Sequence, residues 1–158
     1  FVITFSFAAH AWETVSSGEL NPEEGGISQL IQNLAAHPDR AGVACWVVYE
    51  AQKGGLHADA MRALRTCAQS GNEPSMILMS HAYENGLGVE KSDALATYWV
   101  KMAAMHGYAV GQYHYGMALF NGTGVPKDVG QAQFWLEQAS RAGDRDASSA
   151  LTALAASW

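Results

Sequence analysis

Imidazole and thioether side chains gather in the middle of this chain, at Met76, Met79 and His81, at Met102, Met105 and His106, and at His114 and Met117. Both groups suit copper, so a copper-binding role is one reading of this stretch. The competing reading is packing. Met102 and Met105 flank the small residues Ala103 and Ala104, where flexible side chains fill gaps. A second chemical suggestion is the segment Gly86-Leu87-Gly88-Val89-Glu90-Lys91-Ser92, which has the glycines and the Lys-Ser ending of a phosphate cradle. A phosphate loop needs Gly directly before that Lys and a strand before the loop; Glu90 occupies the first position, and the surroundings read as helical. These glycines therefore read as turn residues. Nucleophile and metal-protease patterns are missing: there is no Ser-x-x-Lys, Gly-x-Ser-x-Gly, His-Glu-x-x-His or Cys-x-x-Cys. We assign no catalytic residue, no metal ligand and no cofactor.

The elements that position these residues recur. Tyr83 to Lys91 reappears 36 residues later as Leu119 to Lys127, with Gly86 and Gly88 matched by Gly122 and Gly124. Ala96, Trp99, Ala103 and Gly107 are likewise matched by Ala132, Trp135, Ala139 and Gly143. A fixed period of this length marks stacked units, each burying its apolar face against the next. Within a unit the second helix shows its core face as Ala96, Trp99, Val100 and Ala103, then Ala132, Trp135, Leu136 and Ala139, at i, i+3, i+4, i+7. Ser92 and Asp128 suit the helix N-caps, and Gly71, Gly107 and Gly143 fall where a left-handed residue turns the chain into the following helix.

Upstream, Asn21-Pro22-Glu23-Glu24 is a helix start, and Pro38 ends that helix and opens another at about 39–52. A further helix is expected at about 57–70. On those helices Cys45 and Cys67 differ in height by only about 4–5 Å at 1.5 Å per residue, which leaves a bridge open. In an oxidising compartment it would stabilise the fold by about 3 kcal/mol; in a reducing one the two thiols would pack as small apolar groups.

Gly-x-Gly-Val-x-Lys followed by Ala-x-x-Trp and a small-residue pair resembles the Sel-one-like repeat, a relative of the tetratricopeptide repeat. The resemblance implies an all-α, right-handed solenoid of antiparallel helix pairs, about 8 helices in all, serving as an adaptor or scaffold, often in bacterial envelopes. The expected organisation is a possible signal remnant at 1–11, a lead-in at 12–21 and a solenoid over 22–158. The solenoid divides into a degenerate first unit (about 39–72), repeats at about 73–107 and 108–143, and a cap at 144–158. Gly86, Gly88, Trp99, Gly107, Gly122, Gly124, Trp135 and Gly143 are its structural positions. Cysteine-rich relatives have been credited with β-lactam binding or hydrolysis, but this chain lacks both their cysteine density and the serine motif.

Bulk properties narrow the partners. The chain of 158 residues has a net charge of −6 and only nine Lys and Arg, which argues against nucleic acid and anionic membranes. Residues 1–11 finish in Ala9-His10-Ala11, like the end of a secretory signal, so a periplasmic or secreted location is expected, or a cytoplasmic one if that segment is not a signal remnant. One step around the first helix of each unit from its core lies a stripe of Trp46, Leu78 and His114 at one level and Tyr49, His81 and Met117 at the other. Aromatic, apolar and imidazole groups there fit a surface for a protein or peptide partner on the concave side; alternatively, the curl of the superhelix buries them between units.

Overall fold

The computed structural model describes Cys45 and residues 57–155. Six helices follow one another: α1 (His57–Gln69), α2 (Glu73–Asn85), α3 (Asp93–Met105), α4 (Ala109–Asn121), α5 (Val129–Arg141) and α6 (Arg145–Ala155). Among the described residues there is no strand. The two helices expected nearer the N-terminus lie outside the described residues, apart from Cys45, which is helical.

Local chemistry fixes the helix ends. Asn72 caps α2 by accepting a hydrogen bond from the Ser75 amide at 3.0 Å, with Glu73 in the first turn against the helix dipole. Ser92 and Asp128 do the same for α3 and α5, accepting from the amides of Leu95 and Gln131. The loops that follow α2 and α4 are closed identically: Ser92 N–H donates to Tyr83 O and Asp128 N–H to Leu119 O, both at 2.9 Å. Gly86, Gly88, Gly107, Gly122, Gly124 and Gly143 all have positive φ. At Gly122, φ of 74° ends α4 in the left-handed region, which a residue with a Cβ enters at a cost of about 1–2 kcal/mol.

Each helix packs on its neighbours in sequence, and α2 also touches α4, so helix pairs stack along a solenoid. Three successive clusters fill the interior. The first joins Cys45, Leu64 and Cys67 to Met76, Met79 and Trp99; the second centres on Val100, Tyr115 and Leu119; the third holds Leu136, Ala139 and Ala147 under Leu151 and Leu154. Leu64, Met79 and Leu136 are fully buried, each contributing about 2 kcal/mol. The predicted helix faces are inside: Ala96, Trp99, Val100 and Ala103 are buried, as are Ala132, Leu136 and Ala139. Trp135 is less covered and packs edge-on to Tyr115, 5.6 Å between ring centres. Met102 packs against the first cluster as a gap-filler, but Met105 does not: its side chain is 62% exposed, because its position turns away from the small-residue face.

Cys45 and Cys67 are joined by a disulfide, with Cα atoms 5.9 Å apart. The glycine loops serve packing. Val89 and Val125 reach into the first and second clusters, and Lys127 lies over the Phe120 ring at 5.0 Å, pointing its charge at an aromatic face.

Candidate binding surface

On α2, His81 is half exposed and its Nδ1 lies 3.3 Å from a Glu84 carboxylate oxygen one turn on. On α4, His114 sits edge-on to His81, ring centres 6.0 Å apart, and the ring of Tyr113 lies 5.1 Å from that of His114. Residue numbering pairs His81 with Met117, 36 positions on; the ring contact instead falls one turn earlier, on His114. Neighbouring first helices therefore meet diagonally.

Burial, then the neighbouring imidazole of His81, hold His114 below its usual 6.5. Glu84, Asp144 and Asp146 pull in the opposite direction. At neutral pH the His114 ring is uncharged, able to donate and accept, and stands beside a second imidazole, a phenol and a carboxylate. The other members of the stripe divide. Leu78 packs partly against the first cluster and Met117 against the third. Trp46 and Tyr49 lie outside the described residues. What the described structure brings together is thus a short polar and aromatic patch at the α2–α4 junction, founded on two apolar neighbours.

A second concavity has no counterpart in the sequence reading. Between α1 and α3, over the opposite side of α2, lies a cleft of about 450 Å³. Met76 and Tyr83 form its floor, and Leu95, Tyr98, Trp99 and Met102 its α3 wall. Met76 and His81 are five residues apart, about 140° around the helix, which places cleft and imidazole pair on different sides. The available signal was the aromatic residue preceding each repeat tryptophan: Tyr98 and Phe134 are both half exposed and lie edge-on to Trp99 and Trp135.

Among the described residues, no group of three or more His, Cys, Asp or Glu side chains could hold a metal ion. No helix among them is long and apolar enough to cross a membrane.

Residues 74–108 and 109–144 each match the Sel1 repeat family. Among solved structures, a Sel1 repeat protein from Oxalobacter formigenes is similar at 36% identity and a TM-score of 0.59, over 61% of this chain and 28% of that one. A protective antigen of uropathogenic Escherichia coli with an SLR fold is similar at 26% identity and a TM-score of 0.68, over 82% of this chain and 30% of that one. The chain thus spans less than a third of the length of either. Cysteine rich protein B of Helicobacter pylori shares the fold at 22% identity and a TM-score of 0.61, covering 79% of this chain and 94% of that one. The comparison with curated proteins gave no significant match.

Proposed function

In a chain that carries two Sel1 repeats, we propose a non-catalytic scaffold that binds a protein or peptide along the first helices of its units, on the concave side. The observation that carries this reading is the approach of His81 and His114 across the α2–α4 junction, 6.0 Å apart, with Tyr113 beside them. Rigid helices hold the patch, so little ordering entropy opposes binding there. The remaining stripe positions, Trp46, Tyr49, Leu78 and Met117, extend the same proposed surface. The Cys45–Cys67 bridge supports export to an oxidising compartment such as the bacterial periplasm.

Selection of displayed peptides on the intact protein tests the assignment. Peptides enriched on the native chain are expected to lose at least tenfold in affinity when His81→Ala and His114→Ala are combined, with helical circular dichroism unchanged. Retained binding by that double variant would move recognition elsewhere. Turnover of nitrocefin by the native chain, abolished by a point substitution, would overturn the non-catalytic reading.

A further inference from the structure

We propose that the cleft between α1 and α3 is a second recognition site, which takes a peptide segment presenting a carboxylate beside an apolar or aromatic side chain. The apolar half of this preference comes from the lining. Tyr83 on the floor and Trp99 on the wall are buried, whereas Leu95 and Tyr98 on the wall remain 43% and 50% exposed. Aromatic and thioether groups around a recess of this size form the kind of pocket that receives a partner's anchor side chain.

The acidic half comes from charge. Arg65 stands at the cleft and donates to the Tyr83 hydroxyl at 3.1 Å, a neutral acceptor that uses one of its five N–H groups. Among the described residues no carboxylate pairs with it. At the other end stands His106, and the cleft lining includes no Asp or Glu. The permanent charge in the cleft lining is therefore the positive one of Arg65, in a chain whose net charge is −6. A guanidinium held by a tyrosine beside an apolar recess is suited to a carboxylate in bidentate geometry.

The neighbouring unit shows that stacking alone does not demand this lining. Thirty-six residues on, Met76, Leu95 and Met102 are replaced by Gln112, Gln131 and Gln138. Arg65 is replaced by Lys101, whose ammonium lies 6.0 Å from the centre of the Tyr115 ring. The second unit keeps its helix packing with three amides at these positions, so the apolar recess is particular to the first.

The smallest molecule that carries both halves is 3-phenylpropionate, with 3-phenylpropanamide as the uncharged control and acetate as the ring-free control. Titration of the intact chain, followed by the methionine methyl signals in NMR, is expected to give saturable shifts at Met76 and Met102 with the acid. The amide is expected to bind at least fivefold more weakly, and acetate not measurably. Arg65→Gln should bring the acid down to the amide's affinity. Tyr98→Ser, at a half-exposed position that leaves the fold intact, should weaken both. The proposal is overturned by an absence of saturable shifts at these two methyls, by equal affinity of acid and amide, or by shifts confined to Met117. It is also overturned if the same methyls shift on raising the protein concentration alone while sedimentation shows a dimer, since a second copy would then occupy the cleft.

Discussion

The α2–α3 pair and the α4–α5 pair follow the same pattern of residues, yet the first helix of each starts with different chemistry. In the first pair Ser75 is buried, and its hydroxyl and amide both donate to Asn72 Oδ1, at 2.6 and 3.0 Å. In the second pair the corresponding residues are Gly111 and Tyr108, and Tyr108 supplies no side-chain cap. A Cβ at Gly111 would lie 2.6 Å from Ala103 Cβ and 2.8 Å from its backbone carbon. The first pair is fastened by a polar cap and stands beside a covalent bridge; the second depends on the absence of a side chain. A repeat pattern specifies the order of helices and leaves open how each helix start is fastened.

Reduction of the Cys45–Cys67 bridge should break this balance most, lowering stability by about 3 kcal/mol in chemical denaturation. Loss of protection on reduction should be centred on α1 and α2 in hydrogen exchange, with α5 and α6 least affected. Exchanging the residues at the paired positions comes next. Gly111→Ser should cost about 2 kcal/mol, since Ala103 and Ala104 present backbone atoms that cannot turn aside. The reverse change, Ser75→Gly, should cost about 1 kcal/mol, from a lost hydrogen bond and lower helix propensity. Equal costs would show that the two pairs pack alike after all.

The loops should also differ. Gly122→Val should cost about 1.5 kcal/mol in thermal melting, from left-handed strain and a close approach to Lys127 Cβ, 3.3 Å from the new Cβ. Gly86→Val should cost less, because its nearest neighbour would stand at 3.6 Å. The smallest effect concerns pH. His114 titrates below 6.5 in the folded chain, so the stability due to its neutral ring is complete above pH 6.5 and is lost as pH falls through the lower folded value. His81→Ala should move the His114 titration, followed by NMR, back toward 6.5; an unmoved midpoint would leave burial as the whole cause.

Much of this architecture was legible in residue order. Ala96, Trp99, Val100 and Ala103 announced a buried face through helical spacing alone, and Ser92 and Asp128 announced helix starts through the chemistry of caps. The diagonal contact of His81 with His114 was not legible, because a repeat period relates equivalent positions and says nothing of the stagger between stacked helices. The cleft escaped for a related reason. Its floor and walls come from three helices, and the feature that separates it from the next interval is the replacement of Met76, Leu95 and Met102 by glutamines, which leaves the period intact. Met105 misled because proximity in sequence to Ala103 and Ala104 does not place a side chain on their face.

The buried Thr97 hydroxyl donates to Thr123 O at 2.8 Å, joining α3 to the loop after α4. In that same loop, Gly124 lies against the Asp93 carbonyl, leaving no room for a Cβ. The loop thus acts as a latch thrown backward onto the preceding unit. Under a pull applied at the C-terminal end, α5 cannot peel off alone without straining this latch over the start of α3. The array should therefore yield in steps larger than one helix, with the Thr97–Thr123 bond breaking in the same event.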